Sequence, residues 1–238
     1  MTGETPDGTV PASVDPQHGS GEHAGPACCA PKADARIARS FDDRWAGADE
    51  PPEMVGVSAR LLDLMRDAPR RRPSVLELGC GPGALSVALL EMGATRVTGV
   101  DLSAASVELA RRRAVAAGFG ELARYEVGNA ADVETEPQDW VILDRVICCF
   151  PDMDRLIRHA APLAGSAFVL SVPESRGWRG LLNRVAWGVE AAWDTVRGGC
   201  RGYVHDVRRI ERRLGDAGLR RTDSLHLGLW YLGRYERS

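Results

Sequence analysis

The sequence predicts an α/β fold: a Rossmann-like, doubly wound sheet of seven strands with an antiparallel last strand, N-terminal helices and a helical cap insertion. Three observations predict it. From Ser74 onward, short apolar runs alternate with amphipathic helical segments at the spacing of parallel βαβ units. The stretch Val75-Leu76-Glu77-Leu78-Gly79-Cys80-Gly81-Pro82-Gly83-Ala84 joins a buried strand to a helix through a glycine-rich turn. The last two segments, Leu219–Leu225 and Leu229–Tyr235, alternate and read as a closing antiparallel pair.

The elements follow in order. Residues 1–35 are rich in Gly, Pro, Ser, Thr and acids with no apolar period, and read as a disordered tail ahead of a single domain over 36–238. Arg36–Trp45 reads as a helix with Ile37, Phe41 and Trp45 on one face, broken by Pro51 and Pro52. Val57–Met65 is a second short helix. Ser74–Leu78 is strand one, Pro82–Met92 a helix with proline in its first turn, and Val97–Asp101 strand two. Ser103 caps a helix that runs through Ala117 and stops at Gly118. Ala123–Val127 is strand three, and the apolar run Trp140–Ile147 is central strand four. A helix over Asp152–Leu163 leads to strand five, Ala167–Val172, ended by Pro173. Trp178–Val196 is one long amphipathic run whose tryptophans exceed what packing on a sheet needs, so residues 174–204 are expected to cap the site. Asp206–Ala217 is the last helix.

Composition narrows the function classes. The 238 residues carry a net charge of −3, which gives no hint of a polyanionic partner, and nucleic acid is not expected. Lys32 is the only lysine, a bias of the kind GC-rich bacterial genomes impose. No apolar run is long enough for a membrane span, and Met1–Gly25 lacks the apolar stretch of a secretory signal, so a cytoplasmic protein is expected. The six cysteines form two adjacent pairs, Cys28-Cys29 and Cys148-Cys149, and two singles, Cys80 and Cys200. That is neither a disulfide framework nor the C-x₂-C spacing of zinc sites, and no metal is expected, although His18 and His23 leave a soft-metal or redox role open for the first pair.

The glycine turn carries the chemistry. Gly79, Gly81 and Gly83 let the backbone turn sharply and approach a ligand closely. The helix behind them offers unpaired N–H groups and a positive dipole end to an anionic group. Asp101 ends the next strand, where an acid accepts the hydroxyls of a ribose. The turn satisfies the dinucleotide pattern GxGxxG/A as well, so an NAD-dependent oxidoreductase is one reading. Glu77 decides against it, because an acid there attracts the ammonium of S-adenosylmethionine and sits badly beside a diphosphate.

Glu77, the three glycines and Asp101 in a strand–turn–helix–strand frame resemble class I S-adenosylmethionine-dependent methyltransferases, whose first motif has the form E-x-G-x-G-x-G. Four further stretches, Phe41-Asp42-Asp43-Arg44, Leu143-Asp144-Arg145-Val146-Ile147-Cys148-Cys149-Phe150-Pro151-Asp152, Arg201-Gly202-Tyr203-Val204-His205 and Trp230-Tyr231-Leu232-Gly233-Arg234-Tyr235, resemble the magnesium-protoporphyrin O-methyltransferase family and its small actinobacterial relatives. The likeness covers residues 36–238. It implies a cofactor site of Glu77, Gly79, Cys80, Gly81, Gly83, Asp101, Leu102, Asn129, Ala130, Arg145 and Phe41. Phe41 stands where a tyrosine is more usual in that family, and Asn129 is placed to meet the adenine amino group. The ends of strand four and of the cap suggest a substrate set of Cys149, Phe150, Arg176, Trp178 and Tyr203, with Arg176 suited to a carboxylate. His205, next to a glycine turn and with an ordinary pKa near 6.5, is the candidate catalytic base. The expected reaction is methyl transfer to a small organic acceptor at a carboxylate or hydroxyl oxygen. A cofactor-binding module that has lost transfer, or that catalyses a non-methyl reaction, is the alternative of a different class. The oligomeric state is open.

Overall fold

The computed structural model describes residues 30–48, 53–54, 56–66, 68, 72–197 and 202–237. Sequence expectations for His18, His23, Cys28, Cys29, Cys200 and Arg201, and for the Trp193 side chain, fall outside the described residues.

Seven strands form one sheet in the order β3-β2-β1-β4-β5-β7-β6. They are β1 (Ser74–Leu78), β2 (Arg96–Asp101), β3 (Ala123–Val127), β4 (Gln138–Asp144), β5 (Ala164–Pro173), β6 (Leu219–Leu227) and β7 (Trp230–Arg237). The first five are parallel. β7 inserts between β5 and β6 and runs antiparallel to both. Its neighbour β6 follows the helix-bearing segment after β5, whereas β7 follows β6 through a tight turn at Gly228, which forces opposite directions.

Alternation along the strands splits the core into two layers. Val75, Ile142, Ala167, Val169 and Leu232 face α2 (Val57–Met65) and α3 (Ala84–Glu91). Leu76, Leu78, Val141, Leu143, Phe168 and Leu170 face α5 (Met153–Ala160) and α7 (Val207–Asp216). Between β2 and β3, α4 (Ala104–Ala116) packs Val107, Ala110 and Ala114 against Tyr125. The two remaining helices are α1 (Ala30–Trp45), beside α4, and α6 (Gly177–Arg197).

Several boundaries differ from the sequence expectation. α1 begins at Ala30 rather than 36, because residues 30–35 contain good helix formers and the proline, Pro31, falls in the first turn where it is tolerated. α3 starts at Ala84 because Gly83 adopts a left-handed cap (φ 76°). β4 stops at Asp144, three residues before the end of its apolar run. Arg145 has φ 58°, the one positive φ among described non-glycine residues, and turns the chain out of the sheet. Ile147–Cys149 then form a 3₁₀ turn that buries the same apolar side chains by a different route.

Gly99 on β2 shows how tightly the α4 layer closes. A Cβ there would lie 2.5 Å from the Tyr125 ring and 2.9 Å from Cys80 Sγ. Gly99→Ala is therefore expected to destabilise the fold by about 1–3 kcal/mol, the usual range for overpacking. The measurement is a urea melt; an unchanged midpoint would mean that the Tyr125 ring swings away freely.

Candidate functional site

A cleft of about 480 Å³ opens at the carboxyl ends of β1, β2 and β4. This is where the reversal of strand order parts the flanking loops in a doubly wound sheet.

The glycine turn forms one wall. Gly79 and Cys80 N–H donate to Val100 O at 2.6 and 3.1 Å, which ties the turn to β2. A Cβ on Gly79 would stand 2.2 Å from Val146 Cγ2, and the residue has φ 77°, so only glycine fits. Gly81 has φ 50° and nothing within 4 Å of a built Cβ, leaving its backbone open to the cleft. Gly83 instead seats on Ala110 of α4 and does not line the cleft.

Two acids stand beneath this turn. Asp101 accepts from Gly81 N–H (2.8 Å) and Ser103 N–H (2.9 Å), one bond on each carboxylate oxygen, so it braces the turn while lining the cleft. Burial raises its pKa. Glu77 lines the cleft floor, 2% exposed, and accepts from the Ser86 hydroxyl. Burial, with the Asp144 and Asp101 charges adding, pushes its pKa up to about 8 against the opposing Ser86 hydrogen bond. A third acid, Asp144, is held by Ser58 Oγ and Ser171 Oγ, each at 2.5 Å. Arg145 closes this cluster: its guanidinium donates to Ser58 Oγ (3.1 Å) and its N–H to Ser171 Oγ (2.8 Å).

α1 lies across the open side. Asp42 accepts from Ser103 Oγ (2.7 Å) and Ala105 N–H (3.1 Å), and Asp34 accepts from Asn129 Nδ2 (2.7 Å). These bonds bring Ile37, Phe41, Arg44 and Trp45 to the cleft.

The cleft thus gathers Glu77, Gly79, Cys80, Gly81, Asp101, Leu102, Ala130, Arg145 and Phe41 of the expected cofactor set, and Cys149 and Phe150 of the substrate set. Asn129 is not among its lining residues. Its Oδ1 accepts from Ala131 N–H (2.8 Å) and its Nδ2 holds Asp34, so the side chain latches α1, and the neighbouring Gly128 and Ala130 line the cleft instead. Arg176 and Trp178 line a separate depression, where the Glu174 carboxylate takes the Arg176 guanidinium in two 2.9 Å bonds. Tyr203 sends its N–H to Cys148 O (2.7 Å) and stacks on His205, outside the cleft lining.

His205 also departs from its expected place. Its Nε2 donates to Phe150 O at 2.7 Å, and burial lowers its pKa. His205 is also not among the residues that line the cleft. The geometry makes His205 a brace for the Phe150 turn, set back from the cleft where a base was expected. Sequence reasoning missed Ser58, Asp144, Trp45, Met54 and Trp230 as cleft residues. Ser58 lies 86 residues before its partner Asp144, and no local pattern links them.

The donor set suits a cationic, nucleoside-bearing ligand. A buried acid with acids as neighbours gains from an ammonium group, the open Gly81 backbone leaves room for close approach, and Asp101 still has lone pairs for ribose hydroxyls. Among the described residues no group of three or more His, Cys, Asp or Glu is placed to hold a metal ion.

Comparison with known proteins gives a consistent picture. Residues 75–164 match the family described as a methyltransferase domain. The chain is 30% identical, over 68% of its length, to magnesium protoporphyrin IX methyltransferase of Arabidopsis thaliana, and spans about half (51%) of that relative. Its fold is similar to the magnesium protoporphyrin IX methyltransferase of Synechocystis PCC 6803 with bound S-adenosylhomocysteine (TM-score 0.65, 21% identity, 84% of this chain and 98% of that one). It is also similar to the geranyl diphosphate C-methyltransferase of Streptomyces coelicolor A3(2) in complex with Mg²⁺, geranyl diphosphate and S-adenosylhomocysteine (TM-score 0.66, 15% identity, 87% and 98%).

The Glu77 shift has a stability consequence. Its folded pKa lies above the unfolded value of 4.5, so its contribution is complete below that value and is lost as pH rises to about 8. The Glu77→Gln variant is expected to lose less stability than the parent between those two limits, and chemical melts across that range would show it. Parallel curves for the two proteins would mean that Glu77 is solvated.

Proposed function

We propose that the chain, by its matched methyltransferase domain and its sheet order, is a class I S-adenosylmethionine-dependent methyltransferase and that it methylates a small organic acceptor at a carboxylate or hydroxyl oxygen. The observation that carries the reading is Glu77: a buried carboxyl on the cleft floor, flanked by acids and facing a glycine turn.

The residues divide the work. Glu77 receives the ammonium end of the cofactor and Asp101 its ribose, while Leu102, Gly128 and Ala130 border the base. The same acids disfavour a diphosphate, which argues against the dinucleotide alternative. When bound, S-adenosylmethionine supplies an electrophilic methyl group on a sulfonium centre. What the chain adds is orientation and exclusion of water. α1 covers the cleft with Phe41 and Trp45, and Cys149, Phe150 and Trp230 give the acceptor side an apolar wall. Asp144, fixed by two serine hydroxyls, is the carboxylate placed to orient an acceptor hydroxyl. A carboxylate acceptor is already ionised at neutral pH and needs no base.

Isothermal titration with S-adenosylmethionine and S-adenosylhomocysteine tests the cofactor, and a gain of one methyl mass on aromatic acids, phenols or porphyrins tests transfer. Asp101→Ala should weaken cofactor binding by about 1.5–3 kcal/mol, the range for charge-assisted hydrogen bonds. Unchanged affinity in that variant would remove the ribose assignment. Tight binding with no methyl gain on any acceptor would favour a binding module.

A further inference from the structure

α6 turns a stripe of large apolar side chains to solvent. Trp178, Leu181, Leu182 and Val185 are 63%, 62%, 48% and 60% exposed. At the helical repeat they fall within an arc of about 100°. The opposite side fastens the helix. Asn183 Nδ2 donates to Glu174 O and Leu229 O (both 2.8 Å), and a Cβ on Gly180 would meet Ser175 O at 2.1 Å. Trp187 meets Trp230 of the cleft wall edge-on, with ring centroids 6.3 Å apart. The exposed stripe is therefore not a core face awaiting the sheet.

The charged side chains that flank the stripe on the helix itself are both arginines. Arg179 and Arg184 flank the stripe on its two sides, and from Ser175 to Val189 the sequence holds Arg176, Arg179 and Arg184 and no acid. The Arg179 guanidinium lies over the Trp178 ring at 4.7 Å. Beside Trp178 the second depression, about 420 Å³, is lined by Arg176, Arg179 and Arg221 together with His226, Ser224 and Glu174.

We infer that this face of α6 docks on the surface of an anionic phospholipid bilayer. The stripe enters the boundary between headgroups and acyl chains, where tryptophan is favoured. Arg179 and Arg184 keep their charge at headgroup level while their stems lie along the apolar surface. Two other occupants fit less well. Residues 1–29 contain Met1, Val10 and Val14 as their only large aliphatic side chains and no aromatic, so they offer no apolar segment to cover the stripe. In a two-fold pairing of copies, the flanking arginines would find no acid on the facing stretch of helix. The side of α6 opposite the docked face meets the cleft wall through Trp187 and Trp230.

The test is co-sedimentation of the full chain with phosphatidylcholine vesicles and with phosphatidylcholine–phosphatidylglycerol mixtures, at low and high salt. The bound fraction is expected to rise with phosphatidylglycerol and fall with salt. The L181S/L182S double variant should lower partitioning roughly tenfold or more, from lost apolar burial. R179E/R184E should abolish the dependence on phosphatidylglycerol. All variants should keep the parent's thermal midpoint, since these side chains are solvent-facing. Parent protein that stays in solution with both vesicle types, or that partitions as well as L181S/L182S, overturns the inference. So does a dimer by light scattering that L181S/L182S dissolves, which would assign the stripe to a second copy.

Discussion

The carboxyl ends of β1 and β4 approach so closely that the residue after β1 can carry no side chain. Val146 fills the space where a Gly79 Cβ would be. This contact fixes the distance between the two loops that form the cleft, and both loops are shaped to allow it. One turns through left-handed glycines; the other leaves its strand through Arg145, a non-glycine residue in the same left-handed region. The second conformation is strained, and a set of hydrogen bonds holds it: Arg145 N–H to Ser171, and the guanidinium to Ser58. The 3₁₀ turn that follows, and with it Cys149 and Phe150, takes its position from that exit.

A second constraint is electrostatic. Glu77, Asp101 and Asp144 converge on one end of the sheet, and each is managed differently. Asp101 is stabilised by two loop amides, Asp144 by two hydroxyls and an arginine, while Glu77 has the Ser86 hydroxyl and a raised pKa. The least compensated acid is the one at the foot of the turn. A site built this way favours a cation, because a positive group relieves repulsion between the acids.

The N-terminal helix belongs to the site as much as the sheet does. Asp34 and Asp42 join it to Asn129 and to the start of α4, so the turns after β2 and β3 also hold the cover of the cleft. Partial burial raises the Asp34 pKa. At the other end of the chain, α6 packs on the cleft wall through Trp187 while its outer face remains apolar, so a single helix presents two different surfaces.

The strands, the closing antiparallel pair and the glycine turn were legible in the sequence, because they rest on local patterns: alternation, helical period and residues that tolerate positive φ. Glu77 and Asp101 were legible for the same reason, being fixed by distance along the chain from the turn. The early end of β4 was not legible, since Val146 and Ile147 are as apolar as a strand requires and only the left-handed Arg145 ends it. Asn129, Arg176 and His205 each had the right chemistry for a ligand. Tertiary structure gave them protein partners instead, Asp34, Glu174 and the Phe150 carbonyl. Conversely Ser58, Met54 and Trp230 reached the cleft from distant segments. The sequence by itself determined which backbone could form and where an acid and a glycine turn would meet a ligand. Only the tertiary structure decided which polar side chains stayed available to that ligand, because hydrogen-bonding capacity is finite and the nearest partner in space takes it first.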